Sequence, residues 1–189
     1  RSSCVARGGR EQQRREMTKT LESGIHIAMD REEYDRINAV NQSTLKLFQR
    51  SSAHAREMMV NPPEPTAAMG LGQAVHCAVL EPDAFAEDYV AAPRLDRRTK
   101  KGRELWERFN ARYKDSIVLT GDEHAKCLSM SRAVWANETA AEVLRSDGQN
   151  EMTVLWKDKH TKLDCKARID RFTKLADWPV LLDLKTTWN

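Results

Sequence analysis

Three side chains near the end of the chain could do chemistry together. Residues 180–185 alternate: Val180, Leu182 and Leu184 point one way, and Leu181, Asp183 and Lys185 the other. Asp170 lies thirteen residues before Asp183, at the end of a second alternating stretch, 163–172. If the two stretches form an antiparallel hairpin, two carboxylates and one amine converge. Hard oxygen donors of this kind select Mg²⁺ or Mn²⁺. Asp170 and Asp183 would hold the ion, with the Leu184 carbonyl as a further oxygen ligand. The ion would neutralise a scissile phosphate and acidify a water, and Lys185 would orient that water. Glu151 could add a carboxylate and His76 a nitrogen ligand. The chemistry indicated is phosphodiester hydrolysis.

Each signal has a plain structural counterpart. Alternating charged faces are common on half-exposed strands. A helix histidine is more often packed than ligating, a basic run is usually a solvated loop, and Glu151 can be simply a charge at a strand start. The joint order gives the pattern its meaning: a helix with His76, a long helical region, three strands, Asp170, then Asp183 and Lys185 followed by Thr186 and Thr187.

Several elements must position these groups. Residues 69–80 form a predicted helix, with Leu71, Ala74, Val75, Ala78 and Val79 on one buried stripe and Pro82 as its stop. Gly72 and His76 share a side of it, and the glycine leaves room beside the imidazole. Arg94, Arg97, Arg98, Lys100, Lys101 and Arg103 form the densest basic run, loop-like because of Pro93 and Gly102. A helix with Leu105, Phe109 and Tyr113 on one face follows. Asp122 then caps a long helix to about Leu144, ended by Ser146-Asp-Gly148. Strands are expected over 151–156, 163–172 and 180–185, with turns over 157–162 and 176–179. Earlier, Asp30 is an N-cap, Ser43 caps a short helix, and 61–65 (Asn-Pro-Pro-Glu-Pro) is a loop.

Composition narrows the class. The chain has 189 residues, 40% hydrophobic and 31% charged, enough for one core. No run approaches the ~18 apolar residues that span a bilayer, so no membrane role is expected. The net charge of +3 is carried entirely by the Arg-rich residues 1–16, expected to be a disordered extension ahead of a single domain over 17–189. Any polyanion must therefore meet a local patch. Cys4, Cys77, Cys127 and Cys165 have neither zinc nor iron–sulfur spacing, and a reducing, cytoplasmic compartment is the simplest reading.

Five blocks in order resemble a known family. Asp170 with Asp183-Leu-Lys185 resembles the PD-(D/E)XK nuclease signature, and more narrowly that of RecE-type phage and prophage exonucleases. Asn41-Gln-Ser-Thr-Leu-Lys-Leu-Phe48 with Ser51-Ser-Ala-His54 is similar to the family's N-terminal block, with Ser52 where proline is usual. Gly70-Leu-Gly-Gln-Ala-Val-His-Cys-Ala-Val-Leu-Glu-Pro82, Pro93-Arg-Leu-Asp-Arg-Arg-Thr-Lys-Lys-Gly102, Asp164-Cys-Lys-Ala-Arg-Ile-Asp170 and Asp183-Leu-Lys-Thr-Thr187 resemble its histidine block, basic loop and catalytic strands. The resemblance implies an α/β, restriction-endonuclease-like core with a mixed sheet flanked by helices. It places His76, Asp170, Asp183 and Lys185 at active-site positions, with Glu151 as a further acid. It implies Mg²⁺ dependence, digestion of double-stranded DNA from 5′ ends, a single-strand annealing partner and a homo-oligomer. The family continues beyond its Asp-x-Lys-Thr-Thr strand into a further helix and strands, so the chain is expected to lack those C-terminal elements. Two alternatives stay open: a catalytically inactive DNA-binding or assembly remnant, and a different nuclease of the same superfamily.

Overall fold

The computed structural model describes residues 22–27 and 29–187. The expected extension over 1–16 lies outside them. The chain divides into two compact units. One comprises Arg1–Pro63, Gln149–Phe172 and Leu181–Asp183; the other comprises Glu64–Gly148, Thr173–Val180 and Leu184–Asn189. The fold is mixed α/β, with helices and an antiparallel sheet.

The first unit contains strand β1 (Gly24–His26) and helices α1 (Arg31–Arg36), α2 (Gln42–Phe48) and α3 (Ser52–Val60). It also holds most of the long strands β4 (Gly148–Lys157) and β5 (Asp164–Leu175). Each short helix starts at a side-chain cap. Asp30 accepts from Glu33 N–H at 2.6 Å, Asn41 from Thr44 N–H at 2.8 Å, and Ser51 from His54 N–H at 3.0 Å. The expected cap Ser43 instead sits inside the first turn of α2, because Asn41 reaches the same N–H groups first. The sheet runs β1-β4-β5-β6, where β6 is Trp178–Leu182. β1 pairs antiparallel with β4, Ile25 opposite Val154. The six-residue loop 158–163 is too short for a crossover, so β4 and β5 form a hairpin. Asp158 closes that loop. Its carboxylate accepts from the Thr161 and His160 N–H groups at 3.1 Å each, and those bonds, Thr161 foremost, hold its pKa below the usual range.

The alternating charges of β5 do not form a wetted face. Lys166 is 6% exposed. Its ammonium donates to the carbonyls of Tyr34 (2.8 Å), Ile37 (2.9 Å) and Asp35 (3.4 Å), and lies 4.5 Å from the centre of the Tyr34 ring. These carbonyls belong to the last turn of α1 and its C-cap, where Tyr34 O also accepts from Ile37 N–H at 3.2 Å and Ile37 O from Ala39 N–H at 2.9 Å. Lys166 thus serves as a helix C-cap delivered from a strand. Burial pulls its pKa below 10.5 and pushes the Tyr34 hydroxyl above 10.0. Lys166→Met keeps the apolar stem but removes the charged donor that these carbonyls share, a contact of ~1.5–3 kcal/mol. The urea unfolding midpoint should fall by the equivalent of about 2–3 kcal/mol. An unchanged midpoint would show that the ammonium adds nothing to the backbone bonds these carbonyls already accept.

The second unit is largely helical: α4 (Ala67–Leu80), α5 (Pro82–Asp88), β2 (Tyr89–Ala91), α6 (Lys100–Arg112), β3 (Ile117–Leu119), α7 (Gly121–Ala136) and α8 (Glu138–Arg145). The stripe expected on 69–80 is buried as read: Ala74, Val75, Ala78 and Val79 are core. α7 packs against it. Ser131 Oγ donates to Ala78 O at 2.7 Å, and Trp135 Nε1 to Val79 O at 3.1 Å. β2 and β3 pair in parallel, with α6 as the crossover.

Three local expectations are corrected. Pro82 does more than stop α4, because it occupies the first position of α5, where its missing N–H costs nothing. The long helix from Asp122 to Leu144 is two helices. Thr120 and Glu123 form a capping box at the start of α7, and Asn137 both ends α7 and caps α8. Gly102 is not a loop glycine. It lies buried in the first turn of α6, where a Cβ would stand 2.0 Å from Asp96 O. No helix among the described residues is long and apolar enough to cross a membrane.

Candidate functional site

The site begins with an irregularity in β4. Glu151 has φ +51, rare for a residue with a side chain. Regular alternation fails just beyond it, since Met152 and Thr153 are both buried. Strain of this kind persists only where surrounding contacts enforce it. Here they do. Arg168 Nε on β5 donates to Glu151 Oε2 at 2.5 Å, and its Nη1 donates to Met29 O at 2.9 Å. The pair is well shielded, with side chains 14% (Arg168) and 27% (Glu151) exposed. Next to it, Arg171 Nη1 donates to Asn150 Oδ1 at 2.5 Å. Successive residues of β5 face opposite ways, so Arg168 and Arg171 grip β4 on both faces and fix the hairpin register.

Asp170 lies two residues beyond Arg168, on the same face, and is half-buried. A carboxylate oxygen of Asp170 and one of Glu151 lie within 4.8 Å of each other. The structure therefore brings together Asp170 and the acid that sequence reasoning ranked last, Glu151. Arg168 was not foreseen. The available signal was its place two residues before Asp170, on the same strand face.

Asp183 is not within that distance of both carboxylates. The third strand starts and ends earlier than expected, at Trp178 and Leu182. The reason is the turn. Ala176 and Asp177 have φ +44 and +70, a two-residue hairpin turn that leaves Trp178 and Pro179 in the strand. Pro179 is tolerated because β6 is an edge. Asp183, Leu184 and Lys185 thus follow the strand. Asp183 and Lys185 are exposed, and Leu184 is half-buried between them.

His76 sits on α4, half-buried, next to core residue Val75. The space at Gly72, one turn earlier, faces Thr186, whose Oγ1 would stand 3.5 Å from an added Cβ. The small residue lets the segment after Lys185 lie against α4.

The basic run divides between a turn and a helix. Arg94 pairs with Asp122 at 2.8 Å, fully in solvent. Arg97 stacks over Trp106, 4.8 Å from the ring centre, and Arg103 Nη1 donates to Arg98 O at 3.2 Å. Lys100 and Lys101 open α6, whose first turn contains no acid. Cations there oppose the positive end of the helix dipole, at ~0.3–1 kcal/mol each.

A comparison with curated proteins finds no match. A family model does match, over residues 41–189, described as "PDDEXK-like domain of unknown function (DUF3799)". That span contains α2–α8, the paired acids Glu151 and Asp170, and the Asp183-Leu-Lys185 segment, so the chain belongs to this PDDEXK-like family, whose nuclease-type fold accounts for two carboxylates set on neighbouring strands.

Proposed function

We propose that this chain is a metal-dependent deoxyribonuclease of RecE type that degrades double-stranded DNA from its 5′ ends. The observation that carries the reading is the Glu151–Asp170 pair, on adjacent strands of a PDDEXK-like domain. The narrower RecE assignment rests on the five ordered sequence blocks. Nucleases of this fold are in general dependent on a divalent metal, and the donor set suits one. Paired carboxylates are hard oxygen ligands that favour Mg²⁺, or Mn²⁺, over softer ions.

In this reading Asp170, Asp183, Glu151 and the Leu184 carbonyl hold the ion, and His76 contributes a nitrogen. When bound, the ion neutralises phosphate charge and lowers the pKa of a water. Lys185 donates a hydrogen bond to the attacking water and stabilises charge that develops on the phosphate oxygens. Arg94, Arg97, Arg98, Lys100, Lys101 and Arg103 contact backbone phosphates, without base readout. A single-strand annealing protein is the expected partner, with a homo-oligomer as the working form in the cytoplasm.

The decisive assay compares linear and circular duplex DNA, with Mg²⁺ and with EDTA. End-dependent loss of linear DNA in Mg²⁺ alone is expected; equal cutting of circles would remove the exonuclease reading, and no cutting at all would favour a non-catalytic role. Replacing Lys100 and Lys101 together by Ala should weaken duplex binding and reduce the slope of log affinity against log salt by about 2. An unaltered slope means the two lysines only decorate the surface.

A further inference from the structure

α6 carries a feature that phosphate contact does not use. Trp106, Phe109 and Tyr113 recur at helical spacing on one side of it and its C-cap. Their rings form a continuous ladder, with Trp106 to Phe109 at 5.5 Å and 23°, and Phe109 to Tyr113 at 4.9 Å and 50°. A guanidinium rests on each terminal ring, Arg97 over Trp106 at 4.8 Å and Arg112 over Tyr113 at 5.4 Å, an exposed contact weak enough for a stacking base to displace. All three rings are only half-buried, and the one buried residue of α6 is Gly102. An aromatic stripe at this spacing normally marks a core face. Here the stripe remains partly open, on a helix with little buried surface of its own.

Charge indicates the occupant. Residues 94–114 carry nine Lys or Arg against three Asp or Glu, a local excess of six in a chain whose total net charge is only +3. Aromatic rings interleaved with cations are what an unpaired nucleic-acid strand requires: the rings take base faces, and the cations take phosphates. A base pair inside a duplex offers no free face to such a ladder. We propose that the Trp106–Phe109–Tyr113 ladder is a stacking platform for unpaired bases of single-stranded DNA, such as the strand left uncut at a digested end. The choice of DNA over RNA rests on the nuclease reading; the stacking itself does not.

The test uses the whole chain in EDTA, so that no cleavage occurs. Fluorescence anisotropy measures binding of an oligodeoxythymidine and of an abasic strand with the same number of phosphates. Wild type should prefer the strand with bases by roughly 5- to 100-fold. Trp106→Ala should lose most of that preference with an unaltered salt slope, and Trp106→Phe should keep it. Equal wild-type affinity for the two strands overturns the proposal without need of any variant, as does a Trp106→Ala protein that still discriminates. Tighter binding of the matching ribo-oligonucleotide overturns the assignment to DNA. A chain that discriminates bases yet never cuts in Mg²⁺ refutes the nuclease reading and leaves the platform standing; one that cuts without discriminating does the reverse.

Discussion

Asp170→Asn should lower metal-dependent cleavage by roughly a thousandfold, or about 4 kcal/mol of transition-state stabilisation, and leave duplex binding within about twofold. The substitution is nearly isosteric, so packing on β5 is preserved. Its effect is electrostatic. The formal charge of the Glu151–Arg168–Asp170 group falls from minus one to zero, and affinity for a hard divalent ion follows the number of charged ligands. In the proposed reading DNA binding persists, because the basic residues of 94–103 and not the acidic pair contact the phosphates. Isothermal titration with Mn²⁺ gives the second readout, where affinity should drop in parallel with the rate. Asp183→Ala is the informative companion. Asp183 lies beyond β6 and outside the close Glu151–Asp170 pairing. An equal loss from both variants places Asp183 on the same ion, whereas loss from Asp170→Asn alone restricts the site to the β4–β5 hairpin. Cleavage within tenfold of wild type for Asp170→Asn would end the metal-site assignment.

The parts of this site that could be read from sequence are those that local periodicity determines. The 3.6-residue stripe of α4 and the two-residue alternation of β5 put His76 and Asp170 on regular elements, because burial of Val75, Val79 and their neighbours requires that phase. Turn geometry was less accessible. Ala176-Asp177 adopts a left-handed pair of conformations that Asn-Gly usually supplies, so nothing in its composition marked a two-residue turn, and β6 was placed two residues late. Asn137 was missed for a related reason. It is tolerated inside helices, and only its side-chain bond to Ala140 N–H, at 2.9 Å, shows that it starts a new one. The partners of charged side chains were least legible. Lys166 and Arg168 looked like two members of a solvated row, yet one caps α1 from 129 or more residues away and the other binds Glu151 and Met29 O. Contacts of that range depend on tertiary packing, and no window of sequence contains both partners.

The Arg168 contact makes the second large prediction. Arg168→Met should destabilise the fold by about 2–4 kcal/mol, at the lower side of the ~3–5 kcal/mol typical of a broken buried ion pair because Glu151 retains some solvent. The loss has two sources: a shielded carboxylate left without its guanidinium, and a backbone at φ +51 that the ion pair no longer enforces. Mn²⁺ affinity should fall 10- to 100-fold, as for other residues that orient a ligand without touching the ion. The double variant Arg168→Met/Glu151→Gln separates the two effects. Removing the stranded charge should restore much of the stability, measured by the urea midpoint, but none of the metal affinity, because the oxygen ligand has then lost its charge as well. Recovery of both quantities in the double variant would mean that Glu151 serves the fold alone and that Asp170 finds its co-ligands elsewhere.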